Sequence, residues 1–286
     1  MRGWKKGAAI AAAVVVAAGI GATGAAWAGG GLGEDGQPPA SEVQANAPTR
    51  AASGGHYEDT FVPVTPCRVV DTRDAVAGKL QVGGARDVIV RGGGAAFAKQ
   101  GGKAGGCGIP TSARAVEVTI TAVESGSGFL RVWPSDLTQP NATFLNYDDA
   151  FNVSNTGTVA LCGTSAPLCA TDLDVRAYGT ATHVVMDVAG YYVAPMIANV
   201  RASGVVESAS RLTNVIAFGG GAYEVEFDRD VSECTYTATI DNYDGSPGGG
   251  MIAVDPRSGN AKAVYVQTKN TAGTNTNEPF FLEVTC

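Results

Sequence analysis

The chain contains many short runs in which large apolar side chains alternate with polar ones. Val and Ile alternate with Glu and Thr over residues 116–121, and Tyr, Val and Phe alternate with Glu over residues 223–227. A period of two is typical of a β-strand with one buried face and one wet face. The runs end at Gly, Pro, Asn or Asp, and no sustained helical period is present. The pattern therefore predicts an all-β fold with few helices, made of two sandwich-like antiparallel β domains.

The same pattern divides the chain into four segments. Residues 1–28 have a basic start, an apolar run and an Ala-Trp-Ala end. This is typical of a secretory signal peptide, with an uncleaved anchor as the alternative. Residues 29–56 are rich in Gly and poor in bulky apolar residues, which predicts a flexible linker. We expect a β-rich domain over residues 57–195 and a C-terminal β-sandwich-like domain over residues 196–286.

Two local features carry predictions of their own. The turn over residues 179–182 is expected to close a hairpin between the strand before it and the strand from His183 to Val193. The glycine-rich stretch from Gly92 to Gly106 matches no phosphate-binding loop, since no Gly-Lys-Ser/Thr follows at the required spacing. We expect this stretch to be a long mobile loop tied down by Cys107.

Composition and charge narrow the classes of partner. The chain is 45% hydrophobic and 16% charged, which is typical of a globular protein. It is acidic, so a nucleic-acid partner is not expected. Removing residues 1–28 takes away three basic residues and no acidic one, which moves the net charge from −7 to −10. Acidic polymers are therefore unfavourable partners for the whole protein unless a metal ion bridges them.

An even number of cysteines follows the signal segment. An even count in an exported chain indicates disulfides, and six cysteines allow 15 connectivities. We predict the pairing that keeps each bridge inside one domain, with buried free thiols as the alternative. A metal cluster is disfavoured because the chain has no Cys-x-x-Cys and only two histidines. The predicted bridges are Cys67–Cys107, Cys162–Cys169 and Cys234–Cys286.

Several motifs resemble modules of exported bacterial proteins whose function is unknown. Residues 66–73 (PCRVVDTR), 107–110 (CGIP) and 183–192 (HVVMDVAGYY) resemble a β-rich module that covers residues 57–195. The pattern GxYxVxFxRDVSxC from Gly221, with FxLxVxC at the C-terminus, resembles a module at the ends of actinobacterial exported proteins. These resemblances imply β-rich exported modules, and they imply no reaction and no catalytic residue.

The densest polar cluster of the sequence consists of Arg68, Asp71, Arg73 and Asp74. One interpretation is a ligand clamp or a carboxylate pair. The other is an Arg–Asp ion pair that fixes the end of a strand, because arginine offers bidentate geometry to a carboxylate. We favour the ion pair, since a marker of the module at a strand end requires no ligand to explain it.

The aromatic residues of the first domain also allow two interpretations. They can form a sugar-stacking platform, or they can belong to the core, where aromatic rings supply much of the burial in small β domains. Tyr191 and Tyr192 must point to opposite faces of a regular strand, so at least one is expected at the surface. The candidate residues are Trp133, Tyr147, Tyr178, Tyr191 and Tyr192.

Catalytic and metal chemistry have little support in the sequence. A Ser–His–Asp hydrolase would have to use His183, with Asp172 or Asp174 approaching it from a neighbouring strand, and no Gly-x-Ser-x-Gly elbow accompanies it. Asp241 and Asp244 offer oxygen ligands near a glycine, as a calcium loop does, but Asp-Asn-Gly clusters are also ordinary turns. We expect no cofactor and no metal.

The sequence therefore predicts a non-catalytic module that is secreted or held at the cell surface and has a binding or structural accessory role. The alternatives are a carbohydrate-binding protein and a secreted hydrolase that uses His183. The expected partner is a cell-envelope polysaccharide or another surface protein. We expect no nucleic-acid partner and no stable membrane span after signal cleavage.

Overall fold

A computed structural model describes residues 58–149, 151–163, 169–241 and 249–286. The predicted signal peptide and linker lie outside the described residues, as does Asp244. Within the described part, nearly all regular structure is β-strand, and the strands form four antiparallel sheets. The all-β prediction is confirmed. In the same part of the chain, no helix is long and apolar enough to cross a membrane.

The first eight strands build two four-stranded sheets. Sheet A has the order β1-β8-β3-β6, and sheet B has the order β2-β7-β4-β5. We call sheets A and B together the first sheet pair. Its elements are β1 (Thr60–Asp71), β2 (Ala85–Val88), α1 (Ala95–Lys99), β3 (Ala113–Val123), β4 (Gly128–Pro134), β5 (Leu145–Tyr147), β6 (Val153–Ala160), β7 (Leu173–Gly179) and β8 (His183–Val193).

The last eight strands build the second sheet pair. Sheet C has the order β10-β9-β16-β13, and sheet D has the order β11-β12-β15-β14. Its elements are β9 (Met196–Val200), β10 (Val206–Ser210), β11 (Leu212–Gly219), β12 (Ala222–Phe227), β13 (Thr235–Ile240), β14 (Met251–Pro256), β15 (Ala263–Lys269) and β16 (Phe280–Thr285).

Each sheet pair encloses its own hydrophobic core. In the first pair, Val116 and Ile120 of sheet A are buried in one cluster with Leu130 and Val175 of sheet B. In the second pair, a separate cluster joins the inner faces of sheets C and D. The alternation along β3 is as the sequence predicts, because its Val and Ile side chains are buried while its Glu and Thr side chains are partly exposed. Burial of alternate side chains thus holds the sheets face to face.

The predicted hairpin between β7 and β8 is wrong. β7 pairs with β2 and β4 in sheet B, whereas β8 pairs with β1 and β3 in sheet A. The turn over residues 179–182 therefore carries the chain from one sheet to the other. Both strands bury alternate residues in the same core, so they meet across it rather than side by side.

The glycine-rich stretch is packed against β1 rather than open. The ring of Phe97 in α1 is fully buried, and the Gln100 side-chain amide donates to the carbonyl of Val69 at 2.6 Å. Gly101 has a positive φ of 77°, and a Cβ at this position would overlap the carbonyl oxygen of Asp71. The glycines here allow close approach of two backbone segments, so the stretch is a packed segment that contains α1 rather than an open loop, and Cys107 ties its end to β1 as expected.

The three predicted disulfides are present in the predicted pairing: Cys67–Cys107, Cys162–Cys169 and Cys234–Cys286. The first ties the end of the glycine-rich stretch to β1. The third links the residue before β13 to the residue after β16, at one end of two paired strands. The six cysteines are therefore bonded to one another, and no free cysteine occurs among the described residues.

Candidate ligand-binding face

The predicted aromatic platform is divided between the two sheets of the first pair. Tyr147 and Tyr191 are only 4% and 9% exposed and belong to the core. Tyr192 is half-buried on the outer face of sheet A, where its ring lies 5.2 Å from that of Phe61. Since these rings face different ways, they cannot form one surface.

Trp133 and Tyr178 do share a face, the outer side of sheet B. The side chain of Leu130 in β4 lies in the core. Trp133 is an odd number of residues further along the strand, so its side chain lies on the opposite side of the sheet. Its indole hydrogen-bonds the carboxyl group of Asp174, the residue directly opposite it on β7. Trp133 is 5% exposed, so it is covered although it does not belong to the core cluster.

Four side chains on this outer face form a group that we call the arginine–aromatic array: Phe129, Arg131, Arg176 and Tyr178. Phe129 lies opposite Tyr178 in the pairing of β4 with β7, and Arg131 lies opposite Arg176. The two rings are stacked, with centroids 4.6 Å apart and an interplanar angle of 5°. All four side chains are half-buried.

Both guanidinium groups lie close to the Tyr178 ring. The guanidinium carbon of Arg131 is 4.9 Å from the ring centroid, and that of Arg176 is 5.0 Å from it. Cation–π contact at these distances is favourable by about 0.5–1 kcal/mol at exposed sites. Each guanidinium also donates a hydrogen bond to the oxygen of a neutral side-chain amide. Arg131 donates to Asn141 at 2.6 Å, and Arg176 donates to Gln139 at 3.1 Å. The array thus holds two positive charges side by side.

The next row of the same face is acidic. Asp174 lies opposite both Trp133 and Asp87, on β4 and β2 respectively. Burial raises the pKa of Asp174, and its hydrogen bond to Asp87 and the charge of that residue raise it further, whereas the bond from Trp133 lowers it. Two carboxyl groups thus lie next to each other in the row beside the array.

The cluster of Arg68, Asp71 and Arg73 forms a closed ion-pair network. The Asp71 carboxylate is 1% exposed and accepts from Arg68 at 3.0 Å and from Arg73 at 2.7 and 2.9 Å. Arg68 also forms a bidentate pair with Asp187 of β8, with distances of 3.0 and 3.1 Å. The arginine bonds lower the pKa of Asp71 despite its burial. This geometry favours a role in joining β1 to β8.

His183 lies beside this network and has two polar neighbours. Its Nδ1 is 3.1 Å from the hydroxyl of Thr72, and its Nε2 is 3.8 Å from the carboxylate of Glu124. The Thr72 hydroxyl also accepts from the backbone of Val184 at 2.7 Å, and the residue is 2% exposed. Asp172, which the sequence offered as a partner for His183, pairs instead with Arg91. The Thr72 hydroxyl, the His183 imidazole and the Glu124 carboxylate follow the order of a catalytic triad, but the Thr72 hydroxyl is buried.

Two groups of potential metal-ligating side chains occur outside the array. Asp136, Cys162 and Cys169 place ligand atoms within 4.8 Å of one another, but the two sulfurs form a disulfide and offer no thiolate. Asp241 follows β13, and its predicted calcium partner Asp244 lies outside the described residues. The first group therefore offers no thiolate to a metal ion, and the calcium loop at Asp241 and Asp244 stays a prediction.

A polar pocket of about 300 Å³ contains both ends of an ion pair. Arg211 and Asp228 line it and hydrogen-bond each other at 2.8–3.1 Å. Arg114, also in its wall, pairs with Asp59 at 3.0 Å. The pocket presents neutralised charges and hydroxyl groups, whereas the array presents two guanidiniums without a carboxylate.

Comparison of the chain with protein-family models gives no match, and comparison with curated proteins gives none either.

Sequence reasoning missed Phe129, Arg131 and Arg176, although it considered Trp133 and Tyr178. A signal was present: aromatic, basic and aromatic residues alternate at 129, 131 and 133, and acidic, basic and aromatic residues alternate at 174, 176 and 178. Each pattern assigns polar and aromatic side chains to one face of a strand. Only the pairing of β4 with β7 brings the two patterns together.

Proposed function

We propose that the chain is an exported, non-catalytic binding protein that attaches to a cell-envelope polysaccharide through the arginine–aromatic array. The observation that carries the proposal is the array itself, in which two half-buried arginines and two aromatic rings lie together on the outside of a sheet. Aromatic and arginine side chains that lie together and partly accessible on the outer face of a sheet are typical of recognition surfaces.

The disulfides support the exported location. Three bridges occur in the described part of the chain, and such bonds persist in oxidising compartments outside the cytosol. They also support a rigid module, since two of them close within the first sheet pair that carries the array.

The absence of catalysis is part of the proposal, with a hydrolase that uses His183 as the competing function. The contact between Thr72 and His183 favours the hydrolase. Against it, the Thr72 hydroxyl is buried, and the backbone of Val184 already donates to it. A nucleophile must reach its substrate, so this arrangement supports a structural role for His183.

Retention on insoluble material tests the proposal. We expect the purified protein to be retained by isolated cell walls or insoluble polysaccharides, with and without a calcium chelator. The Phe129→Ala/Tyr178→Ala variant should bind at least about tenfold more weakly, because these rings position both guanidiniums. Phe61→Ala/Tyr192→Ala is the matched control, since it removes an aromatic pair from sheet A, away from the array.

Two results contradict the proposal. One is retention that the array variant leaves unchanged or that the control variant weakens equally. The other is release of soluble sugar fragments that the His183→Asn variant abolishes, which would establish the hydrolase instead.

A further inference from the structure

We propose that the arginine–aromatic array recognises the oxyanions of an acidic polysaccharide. This inference rests on the proposed binding function and specifies its ligand. The groups that meet the ligand are the guanidiniums of Arg131 and Arg176, and the groups they meet are carboxylates or phosphates carried by the polymer. Planar guanidiniums bind both kinds of oxyanion in a bidentate manner.

The first argument is that two neighbouring guanidinium groups have no carboxylate partner among the described residues. Arg131 and Arg176 lie directly opposite each other on paired strands, an arrangement that like charges make unfavourable. Neither has a carboxylate within ion-pair distance among the described residues. By contrast, carboxylates pair with seven other arginines: Arg68, Arg73, Arg91, Arg114, Arg201, Arg211 and Arg257. An anion from outside the chain would supply the missing charge.

The second argument is that the aromatic rings are already in use. Tyr178 stacks on Phe129 and also contacts both guanidiniums, so its ring faces are taken by protein groups. A sugar ring stacking on Tyr178 would have to displace an arginine. The rings therefore serve to hold the guanidiniums rather than to contact the sugar.

The third argument concerns the donors that remain. The Nε atoms of Arg131 and Arg176 are buried without a hydrogen-bond partner, so ring contact takes the place of a bond there. One Nη of each donates to a neutral amide, Asn141 or Gln139. The other Nη of each has no protein acceptor in the described part of the chain. Two donors are thus fixed in place and unused.

The acidity of the whole protein does not oppose local binding of an anion. Charges are screened beyond about 8 Å at physiological salt, so groups near the array dominate. The acidic neighbours on this face, Asp174 and Asp87, lie opposite each other one row away from the two arginines. The positive row is therefore expected to guide a polyanion across the strands.

Affinity for three polymers tests the inference with the purified full-length protein. Two of the probes are charged: polygalacturonate carries carboxylates and phosphorylated dextran carries phosphates. Unmodified dextran is the neutral control for phosphorylated dextran. We expect binding to one or both charged polymers, none to dextran, and weaker binding as sodium chloride is raised. The Arg131→Gln/Arg176→Gln variant should bind the charged polymer at least about tenfold more weakly.

Two further variants keep the result unambiguous. Arg131→Lys/Arg176→Lys keeps both charges and loses the planar fork, so its affinity should fall between those of the wild type and the glutamine variant. Arg229→Gln/Lys262→Gln removes two positive charges from the second sheet pair and should leave affinity unchanged. The thermal unfolding temperature of each variant shows that it is folded.

Each outcome supports or overturns the inference. Equal binding of dextran and phosphorylated dextran, or unchanged binding by the glutamine variant, overturns the acidic ligand and leaves the binding function standing. An equal loss in the Arg229/Lys262 control shows that net charge rather than the array is responsible, which also overturns it. If neither cell walls nor any of the three polymers binds, the proposed function fails together with the inference.

Discussion

At the scale of single residues, buried charge is tolerated where its partners are fixed. Asp71 is almost fully buried, yet Arg68 and Arg73 hold its pKa below the ordinary value. Asp174 on sheet B shows the opposite case, because burial raises its pKa and the neighbouring Asp87 raises it further. The sign of the shift follows from the nearest partner rather than from burial alone.

Replacement of Asp71 tests its role at the end of β1. We expect Asp71→Asn to lower the free energy of unfolding at pH 7 by about 2 kcal/mol, because hydrogen bonds to charged groups are lost. The folded-state pKa of Asp71 is depressed, so its contribution is present above the unfolded value of about 3.9 and is lost as the pH falls through the folded value. The difference between variant and wild type should therefore narrow below about pH 4.

Urea unfolding at pH 7 and pH 3 measures both effects. Asp74→Asn is the control, because Asp74 is an exposed carboxylate three residues away. An equal loss of stability in both variants, or a difference that does not change with pH, would show that Asp71 contributes through something other than its charge.

At the scale of elements, pairing with neighbouring strands decides which segments become strands, and disulfides link the ends of paired strands. β9 illustrates the role of pairing. All five of its residues pair with β16 and four of them also pair with β10, yet the sequence pattern did not predict a strand here. Tertiary pairing made a central strand from a segment with a modest local signal.

The Cys234–Cys286 bridge closes a span of 52 residues at one end of the β13–β16 ladder. In the chain-entropy model a span of this length contributes about 4 kcal/mol, and one of 7 residues contributes about 2 kcal/mol. We expect Cys234→Ser/Cys286→Ser to destabilise the protein more than Cys162→Ser/Cys169→Ser, whose bridge spans 7 residues. Denaturant unfolding of the two double variants measures the order, and equal losses would refute the entropic account.

At the scale of the whole molecule, two cores without a shared residue lie along one chain. β8 ends at Val193 and β9 begins at Met196, so the chain passes from one core to the other within two residues. Each core joins the inner faces of its own two sheets. Separate cores favour separate cooperative units.

Calorimetry of the intact protein tests this organisation. We expect two unfolding transitions, and we expect Cys234→Ser/Cys286→Ser to move only one of them to lower temperature. A single transition that moves as a whole would show that the two sheet pairs unfold together. The measurement needs no truncation, so the result does not depend on either part folding alone.

The sequence by itself determined most of the strands, the buried faces and the presence of disulfides. These follow from local chemistry: a period of two defines a face, and an even number of cysteines in an exported chain indicates bridges, although the four cysteines of the first segment still allow three pairings. Tertiary structure alone decided the partners of β7 and β8, the burial of Phe97 in the first core, and the placement of Arg131 opposite Arg176. Each of these depends on which strands lie next to each other, and strand pairing depends on packing between residues far apart in the chain.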